Sequence, residues 1–134
     1  MNLILLASAA CSAALSINYL KHNNTILPIK VLVSLGLITS ILNHGFTNKY
    51  FKYLDRLVMV IIVIVYAYLL YDQPELYVLV IGSMSYIMSK TMENSYTKNI
   101  SHIGAHVCAT YLNTFMLLYP IIMDERNTCP HALK

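Results

Sequence analysis

His102 and His106 stand four residues apart in the stretch Ser101-His-Ile-Gly-Ala-His-Val-Cys108. On a helix, residues i and i+4 share one face, about 6 Å apart along the axis, so the pair can offer two nitrogens to one metal ion. Ser40 and His44 repeat that spacing earlier in the chain, and Asp55 follows eleven residues after His44. Three histidines can hold Zn2+ and leave a fourth position for water. The ion makes hydroxide available near neutral pH. A carboxylate can orient or deprotonate that water, and a hydroxyl can steady a developing oxyanion. The chemistry on offer is therefore hydrolysis. His44, His102 and His106 are the candidate metal ligands, Asp55 the candidate base and Ser40 its hydrogen-bonding partner.

The elements that must position these residues are helices. Of 134 residues, 57% are hydrophobic and 11% charged, with a mean hydropathy of +0.59. An average soluble domain is about 25% charged, and here the apolar residues come in long blocks. The blocks predict an all-α, multi-pass transmembrane bundle of about five spans, at 2–20, 27–44, 55–71, 75–90 and 99–120. Residues 1–123 form one bundle, and 124–134 a polar C-terminal tail, disordered or interfacial. Residues 2–20 lack the basic leader of a signal peptide, which favours a retained helix. Small residues there, including Ala7, Ala10 and Ala13, suit close helix approach.

Punctuation supports these bounds. The 21–25 stretch reads as a polar turn, and Pro28 suits a first helical turn. Gly45 suits a C′ position. Residues 45–54 read as a basic, aromatic connection at headgroup level. Asp72 reads as an N-cap with Pro74 near N1. Lys90 to Lys98 reads as a loop, and Pro120 as a bend or end of the fifth helix.

Five spans put the 45–54 and 91–98 connections on the N-terminal side. His44, Asp55, His102 and His106 then fall at one depth on that side, with Ser40 one turn deeper. Lys49, Lys52, Arg56, Lys90 and Lys98 lie on this side, against Lys21, Lys30, Arg126 and Lys134 on the other. The positive-inside rule leans toward placing the site on the cytoplasmic side of an integral membrane protein.

The set Ser40-x-x-x-His44, Asp55 and His102-x-x-x-His106 resembles the signature of the CREST superfamily. That group includes alkaline ceramidases, the progestin and adiponectin receptor family, and membrane proteins of lipid-anchor remodelling. The interval of eleven between His44 and Asp55 resembles the alkaline ceramidase spacing. The resemblance implies a membrane-embedded zinc hydrolase acting on a lipid amide or ester. It implies His44, His102 and His106 as zinc ligands, with Asp55 and Ser40 serving the water. Family members have seven spans, and this chain has room for five; removing one hairpin keeps the sidedness. Ceramidases tend to follow the Asp with Glu-x-Pro-Met, where this chain has Arg56-Leu57-Val58-Met59. That departure points away from ceramide itself.

Each residue also has a plainer reading. Ser40 alone is a packing residue bonding its own backbone. Asp55 alone suits a helix N-terminus, and His44 a C-terminus. His102 and His106 alone could be headgroup contacts. A non-catalytic membrane protein, whether structural, interacting or metal-sensing, is the alternative to the hydrolase. Membrane lipids are the expected partners. The basic residues form no stripe interleaved with aromatics, which excludes nucleic acid. A second copy could seal the pocket of a homo-oligomer, but no residue calls for one. Cys11 and Cys108 read as buried small hydrophobes. His22 and His131 read as solvated, the sequon Asn23-Asn24-Thr25 as too near the membrane for use, and Asn113 as an interhelical hydrogen-bonding residue too deep to reach the site.

Overall fold

Asparagines open three of the helices. In the computed structural model, which describes residues 2–20 and 27–128 with side chains through residue 119, the order is α1 (Leu3–Leu20), α2 (Leu27–Gly45), α3 (Lys49–Leu69), α4 (Leu76–Thr91) and α5 (Ser95–Thr128). Among the described residues there is no strand, so the all-α expectation holds. The 21–25 turn, His22, the sequon, Cys129 and His131 lie outside the described residues.

Several boundaries differ from those read off hydropathy. The expected third span opened at Asp55, but α3 starts at Lys49 because Asn48 caps it, its side chain accepting the Tyr50 N–H at 2.9 Å. An asparagine in that role satisfies an amide that would otherwise be orphaned. Asp55 is therefore not a first-turn residue. It lies in the second turn and is buried. Likewise α5 starts at Ser95 rather than 99: Asn94 Oδ1 accepts from Tyr96 N–H at 2.8 Å and lies 3.4 Å from Thr97 N. In α1, Asn2 Oδ1 accepts from Leu5 N–H at 3.4 Å, and Asn2 Nδ2 donates to Asn99 Oδ1 at 3.1 Å, tying the start of α1 to α5.

Asp72 caps nothing. A run of tight turns, including Gln73 N–H to Leu70 O and Tyr77 N–H to Pro74 O, carries the chain into α4, whose N-cap Glu75 makes no side-chain cap bond. Gly45 is the last helical residue of α2 and has no positive φ. α5 passes Pro120 and continues helical through Thr128, into the segment expected as tail. A proline removes one hydrogen bond of the ladder; the bonds on either side sustain the helix.

α5 packs along α4 and α1, while α2 packs on α1 and α3 and touches α5. The core at their centre holds Val33, Val58, Ile62, Tyr66, Leu70, Leu79, Leu112, Met116 and Leu117. The α4–α5 contact is close at Gly82, where an added Cβ would stand 2.8 Å from Cys108 Cβ. Both described cysteines are free; Cys108 is half-buried, but Cys11 is exposed rather than buried, because α1 turns Ala9, Ala13 and Ser16 inward instead. Large apolar side chains also face outward on every helix, among them Leu15, Ile38, Ile64, Met84 and Val107.

Two of the five expected spans, α1 and α2, are long and apolar enough to cross a membrane. α4 has only 16 residues, and Lys49, Lys52, Asp55 and Arg56 occupy the first turns of α3.

Candidate metal centre

His44 sits in the last turn of α2 because the chain turns away only after Gly45. His102 and His106 stand about two and three full turns into α5, on one face as their spacing requires. The α2–α5 contact brings the three rings together. Their centroids are 5.0 Å (His44–His102), 5.4 Å (His44–His106) and 5.1 Å (His102–His106) apart. One ligand atom from each ring lies within 4.8 Å of the other two. His44 and His102 are buried, and His106 is half-buried.

The fit to a metal ion can be tested on the closest pair. His44 Nε2 and His102 Nε2 are 3.3 Å apart. Two nitrogens bound tetrahedrally at ~2.05 Å stand ~3.3 Å apart, so the pair already has the edge length that a zinc-like ion needs.

The proton on His102 is fixed by a neighbour that the sequence reading did not single out. Ser89, fully buried on α4, has its Oγ 2.6 Å from Tyr86 O and 3.1 Å from His102 Nδ1. A hydroxyl has one proton to give, and a carbonyl can only accept. The Ser89 proton therefore goes to Tyr86 O, and Ser89 Oγ accepts from His102 Nδ1–H. That places the His102 Nε2 lone pair toward His44 and His106. A ligand histidine held through its other nitrogen is the usual arrangement in metal sites.

Asp55 is held from α2. Asn43 Nδ2 donates to Asp55 Oδ2 at 2.7 Å, and Thr39 Oγ1 lies 3.5 Å from Oδ1 while bonding Gly36 O at 3.2 Å. Neither Thr39 nor Asn43 was picked out as a site residue. Both are one residue from a predicted one, and only the rotation of α2 against α3 reveals their role. Ser40 makes neither of these bonds. It lies on the wall of a cavity of about 670 Å³ that is also lined by His44, Asp55, His102 and His106. All five sequence-predicted residues thus face one space.

That space is where α2, α3, α4 and α5 would otherwise meet. Among the described residues α3 and α5 do not pack backbone against backbone; they face each other across the cavity and join where Tyr66 donates to Asn113 Oδ1 at 2.8 Å. Asn113 makes the expected interhelical bond and also lines the cavity wall. Most other lining residues are apolar, including Leu37, Met59, Val63, Leu79 and Leu112. Behind His106, the Thr110 hydroxyl bonds His106 O at 2.8 Å and Ser12 Oγ at 2.6 Å, fastening this stretch of α5 to α1.

No protein-family model, curated protein or solved structure matches the chain. The functional reading therefore stands on the geometry and on the resemblance in residue spacing.

Proposed function

We propose that this chain is a multi-pass membrane protein and a zinc-dependent hydrolase of a lipid amide or ester, a shortened relative of the CREST superfamily. The observation that carries the reading is the convergence of His44, His102, His106 and Asp55 on one largely apolar cavity.

Exposed aliphatics on α3 and α4, such as Leu57, Ile64, Ile81 and Ile87, support a lipid surround for these helices as well as for α1 and α2. Water-soluble monomers rarely expose so much continuous apolar surface. Exposed tyrosines gather near both ends, with Tyr50, Tyr53 and Tyr96 at the site end and Tyr68, Tyr71 and Tyr77 at the other. Tyr50 and Tyr68 both lie in α3, about 27 Å apart along its axis. The hydrocarbon layer is about 30 Å thick, so the tyrosines suit two aromatic belts. Lys49, Lys52, Arg56, Lys90 and Lys98 at the site end favour a cytoplasmic face.

His44, His102 and His106 would hold the ion, with Ser89 orienting His102. The ion would act as a Lewis acid, polarising a carbonyl and making water more acidic. Asp55 takes the proton of the attacking water and returns it to the departing nitrogen or oxygen as the C–N or C–O bond breaks. Each carboxylate oxygen has two lone pairs, so the bond from Asn43 leaves Oδ2 able to accept a second donor. Ser40 supplies a hydroxyl to the carbonyl oxygen as charge develops there. The apolar walls receive the lipid chain and keep bulk water away.

Metal analysis of the detergent-purified chain tests the first half. One zinc per chain is expected, lost in His102→Ala and in His106→Ala; a wild-type chain purified without chelators that neither carries nor takes up zinc sinks the proposal. Asp55→Asn tests the second half. It should keep zinc and release no fatty acid from lipid amides or esters that the wild type cleaves. If the wild type holds zinc and cleaves none of them, the metal-sensing alternative takes its place.

A further inference from the structure

Two cations stand at the mouth of the cavity, and the hydrolytic reading gives them no task. Arg56 and Lys90 both line the cavity and both are exposed. Tyr86 sets their positions. Lys90 Nζ lies 4.8 Å from the centre of its ring, and Arg56 sits beside its hydroxyl. Lys90 also stands in the field of Lys52 and Lys98. Among the described residues, no ion pair joins any of these four cations to a carboxylate. Asp55 is buried and occupied by Asn43, and Glu93 lies in the connection before α5. The buried Asp55 is the carboxylate whose charge reaches Lys90 and Arg56, so among the described residues the mouth keeps an excess of positive charge, set over an apolar chamber.

We propose that this mouth binds the phosphate headgroup of an anionic phospholipid whose acyl chain enters the cavity. This rests on the reading that the bundle sits in a bilayer. It does not need the metal centre to be loaded. The two halves of the ligand match two parts of the site. A chamber of about 670 Å³ is within the ~300–1,000 Å³ range of pockets that enclose a ligand of this scale. The planar guanidinium of Arg56 suits two phosphate oxygens, and the ammonium of Lys90 acts as a compact charge beside it. A neutral headgroup, such as that of ceramide, would leave that excess of positive charge uncompensated. Position adds to the argument. Arg56 follows Asp55, and Lys90 follows Ser89, so a headgroup held there lies within one residue of the groups that ready the site.

Ordinary surface lysines would also favour anionic membranes, so the test must separate a site from a surface. The full chain, purified in a neutral maltoside detergent, is titrated with phosphatidylglycerol or with phosphatidylcholine of the same acyl chains. Retained lipid is read by native mass spectrometry. One phosphatidylglycerol per chain should be retained, about thirtyfold more tightly than phosphatidylcholine, taking about 1 kcal/mol for each of two cations. The double variant Arg56→Gln, Lys90→Gln should erase the preference. The exchange Arg56→Lys, Lys90→Arg should keep most of it, which guards against misreading a folding defect. Lys49→Gln, in a residue that does not line the cavity, should change it less than twofold. Equal retention of the two lipids overturns the proposal. So does a loss in Lys49→Gln as large as in the double variant, or displacement of the lipid by an equimolar amount of inorganic phosphate. His102→Ala should still retain phosphatidylglycerol while carrying less zinc, so a failed metal centre and a failed headgroup site give different results.

Discussion

The assignment of the His102 proton makes a sharp prediction about Ser89. In Ser89→Ala, the buried His102 loses the acceptor of its Nδ1–H. A buried donor left without a partner costs about 1–3 kcal/mol. The ring can escape that cost by moving its proton to Nε2, but the proton then occupies the face toward His44, 3.3 Å away. Either way the site binds metal less well, and loss of such a supporting partner typically lowers affinity by about 10–100-fold. The measurement is a competitive zinc titration against a chromogenic chelator in detergent, with Ser85→Ala, one turn earlier on α4, as the comparison. Ser85 lies against Gly104 and should leave affinity within about twofold of wild type. If Ser89→Ala binds zinc as tightly as wild type while His102→Ala does not, Ser89 has no part in orienting the ring. The proton assignment would then be wrong.

Three other outcomes follow from the same structure. Protons compete with zinc for the same three ring nitrogens, so release of the ion by acid should be coupled to proton uptake; release with no proton uptake would argue against a three-histidine site. Gly82→Ala should lower thermal stability by about 1–3 kcal/mol by forcing α4 from α5, whereas Gly36→Ala should cost less, since its new methyl meets only the far end of the Ile62 side chain; thermal unfolding in detergent compares them. Tyr66→Phe leaves Asn113 without its donor, so stability should drop by about 1–3 kcal/mol with zinc content unchanged.

The cluster of three histidines was legible where side-chain chemistry and helix pitch act together. His102 and His106 must share a face, and His44 lies at the matching end of its helix, so residue types and spacing sufficed. The supporting groups were not legible. Ser89 is one serine among several in an apolar helix, and its partner lies across a helix–helix contact whose rotation is set by Gly82 against Cys108. Asn43 and Thr39 depend in the same way on how α2 turns toward α3. The helix starts at 49 and 95 were missed for a local reason. Hydropathy begins a span at its first apolar run, while Asn48 and Asn94 start the helices earlier, in polar sequence. The mutual contact of the second, third and fifth helices was the condition that spacing could not test. Among the described residues α2 contacts both α3 and α5, but α3 and α5 share no backbone contact and face each other across the cavity.

The division of the ligands between helices has a consequence for how the protein is made. His44 is synthesised early, near the end of α2, and His102 and His106 arrive on the last helix. Until α5 docks, the half-site on α2 and α3 faces its surroundings with Asp55 bound to Asn43 and its metal partners missing. An ion bound afterwards would join residues 58 positions apart and reinforce the small direct contact between α2 and α5. A bound metal would thus act as the last fastener in assembly, and a chain halted before α5 would bear a base with nothing to activate.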